Sequence, residues 1–161
     1  MPTTQIEPPA VRMNAAIKTR WVAALRSGDY VQGRELLHYD AGIDGTSPRF
    51  CCLGVLCDLA YRDGVVTREV VGSAGNHATY AYHDEDDKDE DPESSLLPRS
   101  VARWAGLVVR EDGLEGALIS PVVAGVELTV WNDGEDSTFA DGTSHASENF
   151  DTIARLIEEY L

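Results

Sequence analysis

Apolar residues at Ile17, Trp21, Ala24 and Leu25 recur at i, i+4, i+7 and i+8, a spacing that predicts a helix from about Asn14 to Arg26 with one buried stripe. Ser27-Gly28-Asp29 ends it. A short helical turn is expected over Tyr30 to Leu37, followed by a glycine-rich loop from Ala41 to Pro48. From Val65 the pattern turns to β: the pairs Val65-Val66 and Val70-Val71 and the alternation Thr79-Tyr80-Ala81-Tyr82 predict strands, with a turn over Gly72 to Asn76. Tyr80 and Tyr82 then share a face. Pro98 opens a short helix with Val101, Trp104 and Ala105 inward and Gly106 at its end. Leu118-Ile119 and the alternation of Val126, Leu128 and Val130 against Glu127, Thr129 and Trp131 predict a second antiparallel pair, turning around Pro121 to Gly125. A last helix, capped by Ser147, carries Phe150, Ile153, Ala154, Leu156, Ile157, Tyr160 and Leu161 as its apolar stripe.

The segment Phe50 to Ala60, Phe-Cys-Cys-Leu-Gly-Val-Leu-Cys-Asp-Leu-Ala, holds all three cysteines. Wound as a helix with Ser47 as cap and Pro48 in its first turn, it gathers Cys52, Leu53, Val55, Leu56, Leu59 and Ala60 on one face. Cys51, Gly54, Asp58 and Arg62 fall on the other, so Cys52 is expected inside and Cys51 toward solvent or a groove. Together the elements predict an α+β chain, a single compact domain with about four helices packed on a small, mainly antiparallel sheet. A flexible tail is expected at 1–12 and the domain at 13–161, interrupted by an acidic insertion at 83–95 and a polar loop at 132–146. With 161 residues, 43% of them hydrophobic, the chain suffices for one core and not for two.

The formal charge of −15 argues against direct nucleic-acid binding, which needs a basic surface. Acid is concentrated at Asp84, Glu85, Asp86, Asp87, Asp89, Glu90 and Asp91, whereas Pro8 to Gly28 contains Arg12, Lys18, Arg20 and Arg26 and no acid. The acidic run reads as a self-repelling insertion, or as a surface that engages a basic partner or imitates a phosphate backbone. It lacks the spacing of an EF-hand. No apolar stretch approaches the roughly 18 residues that span a bilayer, and the first ten residues are polar and unlike a signal, so an intracellular protein is expected.

Metal, disulfide and nucleophile are the functional alternatives to cysteines chosen for packing. Ligands must converge within about 2.3 Å of one zinc ion, and positions 51, 52 and 57 of one helix point in separate directions. No metal or other cofactor is therefore expected. An odd count with two adjacent cysteines does not make a disulfide framework, and reduced thiols follow. A nucleophile at a helix start needs a base, and His77, before a strand, is the best of His38, His77, His83 and His145, with Asp58 or Asn76 to orient it. The alternative catalytic reading is thus a Cys51/His77 hydrolase dyad.

Several landmarks occur together: Trp21 to Tyr30 (Trp-Val-Ala-Ala-Leu-Arg-Ser-Gly-Asp-Tyr), Phe50 to Ala60, Leu97-Pro98 with Val101, Trp104, Gly106 and Leu107, Asn132-Asp133, and Phe150 to Ala154. They resemble a family of small accessory proteins encoded by tailed bacteriophages and prophages. The resemblance covers about a third of the chain and carries no catalytic residues with it; Gly134 to Ala146 and the acidic run look like additions to its pattern. It implies a protein made in the bacterial host cytoplasm that binds a host protein or a small defence signal, without enzymatic activity and without a membrane. Tyr80, Tyr82, Trp131 and the acidic run are the candidate partner-binding groups, since tyrosine and tryptophan are frequent interface anchors. Oligomeric state is open at this stage.

Overall fold

A computed structural model describes residues 12–41, 47–74, 77–84, 93–111, 114–134 and 147–161. Most of the expected tail, the acidic insertion and the polar loop lies outside the described residues. The order is α1 (Ala15–Arg26), β1 (His38–Ala41), β2 (Ser47–Phe50), α2 (Cys52–Arg62), β3 (Thr67–Ala74), β4 (His77–His83), α3 (Arg99–Trp104), β5 (Val108–Glu111), β6 (Leu114–Ala117), β7 (Val122–Val123), β8 (Val126–Glu127), α4 (Leu128–Asp133) and α5 (Phe150–Tyr160). Four antiparallel strands form the main sheet in the order β2-β1-β4-β3, and β5-β6 and β7-β8 are separate hairpins. The α+β expectation holds, with five helices among the described residues where about four were expected.

Helix α2 is the hub. It touches α1, α3, α4 and β2, and every residue from Cys51 to Ala60 is buried. The two-faced wheel expected for it fails because both sides are covered. Gly54 lies against the Leu37 carbonyl so closely that a Cβ there would stand 1.7 Å from the oxygen. Asp58 is buried as well.

The α2 start also differs from expectation. Ser47 and Pro48 lie in strand β2, and Cys51 is the residue that caps the helix, its Sγ accepting from the Gly54 amide at 3.4 Å. Pro48 is tolerated because β2 is an edge strand. The amide of Cys52, one of the unpaired donors of a first turn, goes to a side chain of a distant helix, Asn132 Oδ1, at 3.1 Å.

The expected turn of helix at 30–37 is absent. Gly33 N donates to Phe50 O, Phe50 N to Val31 O and Leu37 N to Ser94 O, so this backbone bonds mainly across the fold, with one tight local bond from Leu36 N to Arg34 O and no helical i to i−4 ladder. Val126 to Trp131 alternates as a strand would, yet only Val126 and Glu127 are extended; Leu128 to Asp133 is helix α4. Its inward positions are Leu128, Trp131 and Asn132, at i, i+3 and i+4, and an inward asparagine hides that period from a hydrophobic reading. The cap of α5 is Asn149, accepting from Thr152 N at 2.9 Å, and not Ser147; Tyr160, expected in the stripe, is exposed. Strand β3 runs to Ala74, past the expected turn start at Gly72.

Candidate functional site

On the α2-facing side of the main sheet, His38, Phe50, Tyr80, Tyr82 and Arg68 lie in adjacent register positions: His38 pairs with Phe50 on one side and Tyr80 on the other, and Arg68 pairs with Tyr82. The His38 ring is stacked between Phe50, with centroids 4.1 Å apart, and Tyr80, at 4.2 Å. Its Nδ1 lies 3.2 Å from the Tyr82 hydroxyl.

Helix α2 adds the other half. Asp58 accepts from the Tyr30 hydroxyl and from Arg62 Nε at 3.0 Å, with Arg68 Nη1 at 4.0 Å. Arg68 sits between two aromatic faces, 4.6 Å from the Tyr61 centroid and 5.2 Å from that of Tyr80, and the Tyr80 hydroxyl donates to Asp40 at 2.9 Å. A buried carboxylate thus anchors two arginines whose guanidinium groups lie among tyrosines. The outer rim reaches solvent: Arg62 has 66% of its side chain exposed, and Tyr61 and Val70, the cross-strand partner of Tyr80, are exposed as well.

Among the expected partner-binding residues, Tyr80 belongs to this rim and Tyr82 does not. Tyr82 is wholly buried, and burial, ahead of the nearby Cys57 and Asp58, raises its phenol far above the ordinary value. It is therefore corrected to a core residue. Trp131 is half-buried and donates Nε1 to Val123 O at 3.1 Å, tying α4 to β7. The Asp84 carbonyl lies 3.3 Å from His83 Nδ1. Glu85, Asp86, Asp87, Asp89, Glu90 and Asp91 lie outside the described residues; on either side of them, Tyr82 N donates to Glu93 O at 2.9 Å and Glu93 N to Tyr82 O at 3.0 Å. Sequence reasoning missed Tyr30, Tyr61, Arg62 and Arg68; the i, i+4 spacing of Asp58 and Arg62 was the available signal.

The dyad does not assemble as expected. Cys51 is 4% exposed, and burial pushes its thiol up to about 12 despite the Gly54 amide bond that opposes the shift. Cys52 and Cys57 are raised well above the ordinary value by the same cause, and all three are free thiols. A nucleophile needs the opposite shift. The His77 side chain is outside the described residues, but its backbone starts β4, four residues before the level of Cys51 and two strands across. Strand rise and spacing separate the two backbones by about 15 Å. No three His, Cys, Asp or Glu side chains among the described residues gather as a metal site.

The stacked histidine makes a pH prediction. Burial, with the Arg68 charge second, lowers His38 from 6.5 to about 4. The folded chain keeps it neutral where the unfolded chain binds a proton, so stability is full above about pH 6.5 and falls as pH drops toward 4. The loss is about 3 kcal/mol by the end of that window. Urea unfolding at stepped pH should show this slope, and His38→Phe, which preserves the stack, should flatten it. Asp63 and Glu158, held low by Arg20 and Arg26, lose their contribution only at lower pH, as it falls through their folded values.

The chain belongs to a family described as a domain of unknown function (DUF8296), whose pattern matches residues 13–161. No curated protein and no solved structure matches it.

Proposed function

We propose that this protein is a non-enzymatic accessory factor of a tailed bacteriophage or prophage, which binds a component of the bacterial host in the cytoplasm, a protein before a small defence signal. The observation that carries the binding reading is the rim of Tyr61, Arg62, Arg68 and Tyr80 around buried Asp58. Tyrosine and arginine dominate interface hot spots. Here they are ordered before any partner arrives, because one carboxylate draws both guanidinium groups and the Tyr61 and Tyr80 rings enclose that of Arg68, which lowers the ordering cost of association. Val70, 57% exposed on the same face, extends the rim with apolar surface. The reading is supported from the other side by the sealed thiols, which suit packing better than attack. No helix among the described residues is long and apolar enough to cross a membrane.

The test is affinity capture from lysate of the bacterial host with three baits: the native chain, Tyr61→Ala/Arg62→Ala, and a chain with residues 85–92 replaced by Gly-Gly. The replacement spares Glu93 because it is bridged to Tyr82. A specific host protein should be retained by the first bait and lost from the second, a hot-spot pair being worth about 2 kcal/mol or more. The third bait reports whether the acidic run adds charge-driven attraction. Retention of the same proteins by the Tyr61/Arg62 variant would remove the rim from the account.

A further inference from the structure

The surface of α1 and α5 carries a second feature, formed by residues other than those of the arginine and tyrosine rim. A groove of about 420 Å³ runs along α1, floored by Ala15, Val22 and Ala23 and edged by Lys18, Arg26 and Glu158. It continues past Ala15 and Lys18 into a second hollow of about 350 Å³, where Glu159 and Tyr160 form the far wall. Helices α1 and α5 run antiparallel here: Asp151, at the start of α5, acts on Arg26 at the end of α1, and Tyr160 lies beside the start of α1.

The two helices carry opposite charge. Lys18, Arg20 and Arg26 give α1 three cations and no acid; Asp151, Glu158 and Glu159 against Arg155 give α5 a net charge of −2. Arg26 and Glu158 already neutralise each other through two hydrogen bonds, of 2.8 and 3.0 Å. Lys18 and Glu159, on the same surface, make no ion pair within 4 Å among the described residues, although Lys18 is near enough to Glu158 to help hold that carboxyl low. Tyr160, the large exposed side chain of α5, stands at the groove edge.

From this arrangement we infer that the α1/α5 face docks a second copy of the chain. A two-fold axis parallel to the helices lays α1 of each copy across α5 of the other, so basic meets acidic twice in one isologous contact. Lys18 then faces the partner copy's acidic helix, and Tyr160 of each copy supplies the apolar knob for the hollow floored by small residues in the other. A partner's acidic helix would satisfy Lys18 but leave Glu159 against like charge; a second copy satisfies both signs.

Sedimentation equilibrium of the full chain tests this over about 1–100 μM, the range of weak homodimers. The expected species is a dimer of twice 17.5 kDa, about 35 kDa, that dissociates as salt is raised. Lys18→Glu and Glu159→Lys should each weaken it about tenfold or more, and the two together should restore it. Tyr160→Ala should weaken it with little change in salt dependence, and circular dichroism of each variant should match the native chain. A monomer throughout the range, or a dimer indifferent to Lys18→Glu, would overturn the inference. A monomer that captures an acidic host protein through Lys18 would do the same in favour of a foreign partner.

Discussion

Gly54→Ala should abolish the native fold. Alanine is the better helix former by about 1 kcal/mol, so local propensity predicts stabilisation in the middle of α2. Packing predicts the reverse. The added methyl would stand 1.7 Å from the carbonyl oxygen of Leu37, 2.5 Å from its carbon and 3.0 Å from its Cα, all backbone atoms with no rotamer to change. Leu37 cannot retreat freely, since its amide is bonded to Ser94 O and the next residue begins β1. Separating α2 from this segment opens the core at its centre, at a cost of about 4 kcal/mol or more, a large part of the stability of a domain this size. Poor soluble yield, or loss of the cooperative urea transition, is the expected readout. Gly72→Ala is the matched control: nothing lies within 4 Å of its added Cβ, and its midpoint should move by less than about 0.5 kcal/mol.

Asn132→Leu should cost about 3–5 kcal/mol, more than its similar volume suggests. Asn132 is wholly buried and uses both ends of its amide. Oδ1 accepts from the Cys52 amide at 3.1 Å and from Gln32 Nε2 at 3.1 Å, and Nδ2 donates to Gly33 O at 2.8 Å and to Asp133 Oδ1 at 2.8 Å. Asp133 Oδ1 in turn accepts from the amide of Glu35, a residue held at a φ of 68°. One side chain of α4 therefore joins the first turn of α2 to the irregular 30–37 segment. Leucine fills the space and leaves a buried amide and carbonyl without partners. The urea midpoint should fall accordingly, and hydrogen exchange at the Cys52 amide should lose its protection before the rest of α2 does.

Where apolar period and chain-local chemistry agree, the sequence was legible. Helix α1 starts on Asn14, whose Oδ1 accepts from Ala16 N and Ile17 N, and its inward residues include the predicted Ile17, Trp21 and Leu25. The β3-β4 hairpin and the short helix after Pro98 with Gly106 at its end were legible in the same way. Two of the failures share a cause, which is that distant groups supplied what local reading sought nearby. The first amide of α2 finds Asn132 eighty positions along the chain, and the local cap is the Cys51 thiol, not one of the Ser, Thr, Asp or Asn caps that announce a helix start. The 30–37 segment bonds to Phe50 and Ser94, and its leucines imitate a helix. In α4 the buried asparagine breaks the hydrophobic pattern that would have announced the helix.

The candidate rim was half-legible. Tyr80 could be chosen from its type and its strand, but Arg68 becomes notable only when α2 brings Tyr61 and Asp58 against β3. Cys51 was misplaced for the converse reason. A helical wheel assigns a solvent side to any amphipathic run, and α2 has none along its first nine residues because other elements surround it.

Whether α2 is scaffold or active centre is decided most directly by the alkylation rate of native protein with iodoacetamide at neutral pH, read by mass spectrometry site by site. With Cys51 held up at about 12 and Cys52 and Cys57 wholly buried, no site should react until the chain unfolds, and all three should react together in urea. Rapid modification of Cys51 alone in the folded protein would contradict the account and restore the nucleophile.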